Sequence, residues 1–255
     1  MRIKMIATDL HSTLLKNDKT VSDYTVSVFK RLRERGILVA FATARPVRTV
    51  KGMNVRITCD AVVYHNGALV SAGGAAIHRA GVEFGTAKGI LLAASENFKG
   101  LNISVEINDT LYANFDVSII WSGAPCVVSD FLNLPEYPAD KIIFDTADAG
   151  VIEEIKKILP PGLYAQVSEN KILLVMNENA SKLNGLKKIA EHYGIPMSDI
   201  VSFGDDLNDV GMLESCGTGV AVANAVYEAK AAADFVCGAN EDDGVAKWID
   251  ERILR

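Results

Sequence analysis

Basic residues are in short supply. The chain carries 26 Lys and Arg against 32 Asp and Glu, a formal charge of -6, and its pI is near 5.3. A surface that tracks nucleic-acid phosphates needs clustered cations to displace counterions, and no long run of Lys or Arg occurs, so nucleic-acid partners are not expected. Long apolar runs are missing too. No window reaches the roughly 20 residues that cross a bilayer, and the N-terminus enters a charged, strand-like stretch without the apolar region of a signal peptide. The expectation is therefore no membrane partner and a cytoplasmic location. Cysteine is sparse: Cys59, Cys126, Cys216 and Cys237 stand far apart, without a C-x-x-C pair or a nearby His. Reduced thiols are expected, with neither a zinc site nor a disulfide framework. No G-x-G-x-x-G follows the first apolar run, which removes the signature of a nicotinamide-dinucleotide site. What the chain does have is apolar surface. Of its 255 residues 49% are hydrophobic, enough for one large domain or for a core with a smaller insert.

The pattern along the chain predicts a doubly wound, Rossmann-like α/β core with a parallel sheet. Ile3 to Thr8 reads as a buried strand that delivers Asp9 at its carboxyl end. Thr20 or Ser22 caps a helix carrying Val21, Thr25, Val28, Phe29 and Leu32 on one face, and Gly36 stops it. Ile37 to Ala42 is the next strand and ends in Thr43-Ala44-Arg45-Pro46, with Pro46 suited to a first helical turn. Asp60 to Tyr64 is a third strand, leaving through His65-Asn66-Gly67. From about Val82 to Asn179 the texture changes to alternating stretches at 102–107, 110–115, 139–144 and 173–176. These suit exposed antiparallel strands, backed by helices at 87–98, 127–132 and 149–159, the last stopped by Pro160-Pro161-Gly162. The α/β texture then returns, with a helix over 181–194, a strand over 200–203, a helix after Leu207, a strand over 219–223 and a closing helix from Gly244. The expected division is a core of 1–81 and 180–255 with an inserted α+β cap over 82–179.

Four polar clusters fall where such a sheet gathers ligands, beyond the carboxyl ends of its strands. The first is Asp9-Leu10-His11-Ser12-Thr13. A strand-terminal carboxylate can attack phosphorus, and the turn behind it presents N–H groups to phosphate oxygens; the plainer reading is a buried capping aspartate. The second is Thr43, a hydroxyl donor at a helix start or an ordinary N-cap. The third is Lys182, whose ammonium can balance a nucleophile and a phosphate or can be a solvated surface charge. The fourth is Gly204-Asp205-Asp206-Leu207-Asn208-Asp209. Three carboxylates within five residues repel one another unless a cation or donors compensate them. Mg²⁺, a hard cation that takes few protein carboxylates, is the natural partner of Asp9 and Asp205. Asp209, one helical turn on, would support the metal waters or cap the new helix. His65, His78 and His192 lack metal-ligand spacing and read as structural or surface residues. Trp121 and Trp248 read as core, with Trp121 also suited to line the cap.

Asp9, Thr43, Lys182 and Gly204-Asp205-Asp206-x-Asn208-Asp209 together resemble the four motifs of haloacid dehalogenase phosphatases. An insert between the second and third, with Asn66-Gly67 ahead of it, resembles the Cof-type, sugar-phosphate-phosphatase branch. So do Gly219-Val220-Ala221-Val222-Ala223-Asn224-Ala225 and the tail Asn240-Glu241-Asp242-Asp243-Gly244-Val245. The resemblance implies an Mg²⁺-dependent phosphatase acting on a small phosphorylated metabolite. Asp9 would be nucleophile and metal ligand, the backbone carbonyl of His11 a second ligand and Asp205 a third. Thr43, Lys182 and Asn208 would hold the phosphoryl group, and the cap would choose the substrate and close over the site.

The resemblance breaks in the first motif, where the family has Asp-x-Asp-Gly-Thr and this chain has His11 and Ser12. The family's second aspartate is its acid/base, a role typically worth about 10²–10⁴-fold. His11 can take that role, since imidazole titrates near pH ~6.5, although a nearby Mg²⁺ opposes its cationic form. Ser12 restricts the turn that Gly would leave free and adds a hydroxyl beside the phosphate. Ala44 stands where the family commonly has Gly. Three readings follow: a phosphatase with His11 as working acid/base; an enzyme that keeps its phosphoenzyme or transfers the phosphoryl group; and a phosphometabolite-binding protein that retains the pocket.

Overall fold

The structure is a computed structural model that describes residues 3–53, 55–121, 124–168 and 171–255. In chain order the first stretch forms β1 (Met5–Thr8), α1 (Asp23–Glu34), β2 (Leu38–Ala42), α2 (Val47–Gly52), β3 (Ala61–Tyr64), β4 (Leu69–Ala72) and β5 (Ala75–Arg79). The middle stretch forms α3 (Phe84–Asn97), β6 (Ile103–Ile107), β7 (Thr110–Ala113), β8 (Val127–Val128), β9 (Ala139–Phe144), α4 (Ala149–Ile158), β10 (Leu163–Ser168) and β11 (Ile172–Asn177). The last stretch forms α5 (Lys182–Tyr193), β12 (Ile200–Gly204), α6 (Val210–Ser215), β13 (Thr218–Ala221), α7 (Tyr227–Ala232), β14 (Phe235–Val236) and α8 (Gly244–Arg252). The chain divides into two compact units, Met1–Arg79 with Ser181–Arg255, and Ala80–Ala180.

The first unit is an eight-stranded sheet in the order β14-β13-β12-β1-β2-β3-β4-β5. Its strands run parallel from β14 to β3, and β4 and β5 close the edge as an antiparallel hairpin. This is the α/β core read from the sequence, with the hairpin added. Alternation explains its layers: Ile6 of β1 joins one apolar cluster with Val28 and Phe29 of α1 and Ile249 of α8. Its neighbours Met5 and Ala7 join another with Leu186 and Ile189 of α5 and Met212 of α6. Burial on both faces is why β1 reads as a continuous apolar run. Helix α1 starts where Ser22 Oγ accepts from Thr25 N–H, and α5 starts where Ser181 Oγ accepts from Asn184 N–H.

The second unit is a six-stranded sheet, β10-β11-β9-β6-β7-β8. The sequence led to exposed strands here, but every residue of β6 and β9 is buried. Both faces are covered: Ile103, Val105, Ile142 and Phe144 pack with Ala87, Leu91 and Ile155, while Ile143 and Leu174 pack with Leu111, Ala113 and Val117 on the other side. The helix expected over 127–132 is absent. Val127 and Val128, β-branched and suited to pleated backbone, pair with Tyr112 and Ala113 instead. Ser129 Oγ then accepts from Phe131 N–H and Asp130 Oδ1 from Leu132 N–H. These local bonds take the backbone donors a helix would need, and Phe131 turns to φ 65. No helix among the described residues is long and apolar enough to cross a membrane.

Helix α5 lies unusually close to the sheet. A Cβ added at Gly185 would stand 2.5 Å from Val63 Cγ1, and valine has little rotamer freedom to yield. Overpacking of this kind costs about 1–3 kcal/mol, against roughly 1 kcal/mol by which Ala favours a helix over Gly. Gly185→Ala is therefore expected to lower the urea midpoint of unfolding. A midpoint at or above that of the parent protein would mean that Val63 gives way and that the contact is loose.

Candidate active site

The site begins with three adjacent parallel strands. Thr8 pairs with Phe41 on one side and Phe203 on the other, so β1, β2 and β12 end along one edge of the sheet. Asp9, Thr43 and Asp205 leave from that edge, where an open α/β sheet collects ligands. Asp9 is 4% exposed, and its N–H donates to Phe203 O at 3.0 Å.

Behind Asp9 the chain makes one wide turn, closed by Leu15 N–H onto Leu10 O at 2.8 Å. Ser12 occupies the left-handed region in it, at φ 57 and ψ 5. This is the position where the family resemblance led to Gly being expected, and a side chain there carries a penalty of about 1–2 kcal/mol. The turn is held from outside. Asn224 Nδ2 donates to Ser12 O at 2.7 Å, and Asn224 Oδ1 accepts from Asn240 N–H at 3.0 Å. Asn240, 4% exposed, donates through Nδ2 to Leu15 O at 2.9 Å.

Lys182 is the electrostatic centre. It is 2% exposed, and its Nζ lies 2.7 Å from Asp9 Oδ1 and 2.7 Å from Asp209 Oδ1. Burial works against the ammonium, yet the two carboxylates outweigh it and hold Lys182 well above the ordinary lysine range. The other oxygen of Asp209, Oδ2, accepts from the N–H groups of Asp205 and Asp206 at 3.1 and 3.2 Å. Asp206 turns outward and accepts from Leu207 N–H. Gly204 makes room for this fold-back, since a Cβ there would stand 2.4 Å from Asp209 Cβ.

Asp205 Oδ1 accepts from Thr13 Oγ1 at 2.7 Å. Burial, with the negative charge of Asp9 second, pushes the Asp205 carboxyl up to about 7. Burial also raises the Asp209 carboxyl above the usual carboxylate range, with Lys182 opposing. By geometry alone, the single ammonium of Lys182 stands beside a cluster of three carboxylates, more negative charge than it offsets. Ligand atoms of Asp9, Asp205 and Asp209 lie within 4.8 Å of one another, and Asp9 Oδ2 is buried without a hydrogen-bond partner. An unmatched carboxylate oxygen among clustered carboxylates fits a hard cation with oxygen ligands.

A second chain of contacts runs beside the first. Thr43, 1% exposed, accepts from Arg45 N–H through Oγ1 at 3.2 Å. Its carbonyl accepts from Asn66 N–H at 3.0 Å, and Asn66 Oδ1 accepts from Asn208 Nδ2 at 3.0 Å.

The family profile described as haloacid dehalogenase-like hydrolase matches residues 6–249. The chain belongs to that family. It is 30% identical to the 5-amino-6-(5-phospho-D-ribitylamino)uracil phosphatase YitU of Bacillus subtilis over 265 residues, 97% of this chain and 96% of that protein. It is 29% identical to the HMP-PP phosphatase of Cronobacter sakazakii over 235 residues, 86% of this chain and 84% of that one. Among solved structures it resembles the haloalkanoate-superfamily phosphatase BT1666 from Bacteroides thetaiotaomicron. There the TM-score is 0.83 at 25% identity, covering 98% of this chain and 95% of that one.

Of the residues picked out in the sequence, Asp9, Lys182, Asp205 and Asp209 form one connected group. Asn208 and Thr43 are joined through Asn66. His11 is half-buried and Ser12 exposed in the turn after Asp9. Residues the sequence reading left without a role are Thr13, which holds Asp205, and Asn224 and Asn240, which hold the turn. Both asparagines lie in stretches that carried the family resemblance, which was their only signal. The thiols of Cys59, Cys216 and Cys237 are pushed by burial to about 11, 11 and 12, so they stay protonated and inert near neutrality.

Replacing Lys182 by Met keeps the volume and removes the charge. Two buried carboxylates then lose their cation, a loss typically worth about 3–5 kcal/mol. Lys182→Met should lower the unfolding free energy by that amount in denaturant titration, and a change below about 1 kcal/mol would show that Asp9 and Asp209 reach water or each other's protons instead.

Proposed function

We propose that this haloacid dehalogenase-like hydrolase is an Mg²⁺-dependent phosphomonoesterase that works through an aspartyl-phosphate on Asp9. The observation that carries the reading is the state of Asp9: one oxygen held by a buried ammonium, the other buried without a partner. A carboxylate fixed in this way has lost most of its rotational freedom and offers a defined lone pair at the sheet edge. Asp9, Asp205 and the carbonyl of His11 would hold the metal. When bound, Mg²⁺ supplies charge neutralisation at the phosphoryl oxygens.

Asp9 attacks phosphorus and the bond to the substrate oxygen breaks; His11 gives that oxygen its proton and later takes one from the water that cleaves the acyl phosphate. Lys182 offsets charge on the nucleophile and the phosphoryl group, while Thr43, Ser12 and Asn208 supply donors. Asp209 has both oxygens engaged by Lys182 and backbone N–H groups. It is therefore read as the support of Lys182 and of the Asp205 turn rather than as a direct metal ligand.

The substrate is read as a small metabolite with its phosphate on a sugar or polyol chain. The 5-phospho-D-ribitylamino group of the compound for which YitU is named supports this. The inserted unit, read as 82–179 from the sequence and compact over 80–180, is read as the part that selects it.

The purified protein should release phosphate from a panel of sugar and polyol phosphates with Mg²⁺, and release should stop with EDTA or in Asp9→Ala. No release above the Asp9→Ala level, with inorganic phosphate still bound, would leave a binding protein in place of an enzyme. His11→Ala should lower kcat by about 10²–10⁴-fold. Turnover unchanged in that variant would remove His11 from the proton transfers.

A further inference from the structure

The turn at His65, Asn66 and Gly67 is the least relaxed backbone in the first unit, because three consecutive residues take positive φ: 48, 54 and 109. Two of them carry side chains, and the left-handed region disfavours each by about 1–2 kcal/mol, although Asn and His tolerate it better than most. Both are nearly fully buried, at 1% and 5% exposure. Backbone held in this state persists where surrounding contacts over-determine it.

Those contacts lead to the site from three directions. His65 N–H donates to Arg45 O at 3.2 Å and Asn66 N–H to Thr43 O at 3.0 Å, so the turn grips the loop after β2. At Gly67 a Cβ would stand 2.3 Å from Ser181 O, so only glycine lets the start of α5, and Lys182 with it, come this near. The Asn66 side chain then accepts from Asn208 Nδ2 at 3.0 Å. This leaves Asn208 Oδ1 buried with no partner. A buried, half-satisfied carboxamide is costly unless something else completes it.

We infer that Asn66 is a positioning residue for the phosphoryl pocket: it fixes the carboxamide of Asn208 and, with Gly67, assembles the segments bearing Thr43, Asn208 and Lys182 around it. This rests on the phosphatase reading above, in which Asn208 holds the phosphoryl group. Asn66 itself acts through Asn208. Rotation of the Asn208 amide exchanges its oxygen and nitrogen, so the Asn66 carboxamide, which has both acceptor and donors, can hold it in either sense. A phosphoryl oxygen in the pocket selects the sense that turns the NH₂ group toward it and resolves the unmatched oxygen.

The test is a double-mutant cycle with two readouts in the full-length protein with Mg²⁺: kcat and KM for the best substrate, and the dissociation constant of inorganic phosphate by calorimetry. Asn66→Gly keeps the left-handed backbone and removes the carboxamide. It is expected to lower kcat/KM about 10- to 100-fold and to weaken phosphate binding, with Tm within a few degrees of the parent. In an Asn208→Ala background the same substitution should change neither readout more than about twofold, because the residue it acts through is gone. Equal losses in both backgrounds, or no loss in the parent, would overturn the inference. If Asn66→Gly fails to fold, Asn66→Asp keeps both the backbone tolerance and an acceptor for Asn208. Because Asp accepts but cannot donate, it holds the Asn208 NH₂ group away from the pocket. N66D is then expected to weaken phosphate binding, and Asn208→Ala should change it by no more than about twofold in that background. Tight phosphate binding in N66D, or a further loss on Asn208→Ala as large as in the parent, would equally overturn the inference. Phosphate binding reads the inference even where no turnover is found, which separates its failure from that of the phosphatase reading.

Discussion

One buried ammonium sets the terms for the rest of the site. Removing Lys182 from water is unfavourable by several kcal/mol, and the attraction of Asp9 and Asp209 at 2.7 Å each offsets that cost. The three groups come from three separate places in the chain: the end of β1, the first residue of α5 and the turn after β12. None is stable there alone. Their pairing therefore requires α5 to approach the sheet closely, and the chain achieves this with residues that have no side chain. Gly185 faces Val63, Gly67 faces the backbone of Ser181, and Gly204 faces Asp209, with virtual Cβ approaches of 2.5, 2.3 and 2.4 Å. The electrostatics of the site thus depend on steric room made elsewhere.

The charge inventory has a direction as well as a centre. One ammonium stands among three carboxylates, and the excess appears in Asp205, raised to about 7 by burial and by Asp9. Thr13 holds Asp205, and the N–H groups of Asp205 and Asp206 hold Asp209. The carboxylates are consequently fixed in geometry while remaining under-compensated in charge. That combination suits a divalent cation and a phosphoryl group, which together exchange repulsion for ligation.

The turn after Asp9 carries His11 and Ser12, and it is held from outside as well as from within. Ser12 takes a conformation that favours glycine, and its carbonyl is held by Asn224, which in turn is held by Asn240. An external clamp of this kind keeps the turn in place against the preference of its own residue. The turn is thereby held in place with an imidazole, that of His11, two residues after Asp9.

Much of the molecule was legible in the chain because its chemistry sits next to strand ends. Buried parallel strands announce themselves as short apolar runs, and the polar residue that ends each run lies at the sheet edge without further information. Asp9, Thr43 and Asp205 could be found in this way, and the alternation of strands and helices determined the α/β core. Local periodicity was a poorer guide in the inserted unit. Val127 to Leu132 was compatible with a helix until strand pairing and two side-chain bonds to the backbone took its donors. Strands expected at a surface proved buried because apolar residues arrive on both faces from distant segments. Only the tertiary structure decided which carboxylate meets which partner. Thr13 and Asp205 are 192 residues apart, Asp9 and Lys182 are 173 apart, and Asn66 and Asn208 are 142 apart. Residue types along the chain determine what each group can do. Burial and close backbone approach determine which groups are forced to do it together, and neither is a property of any local stretch.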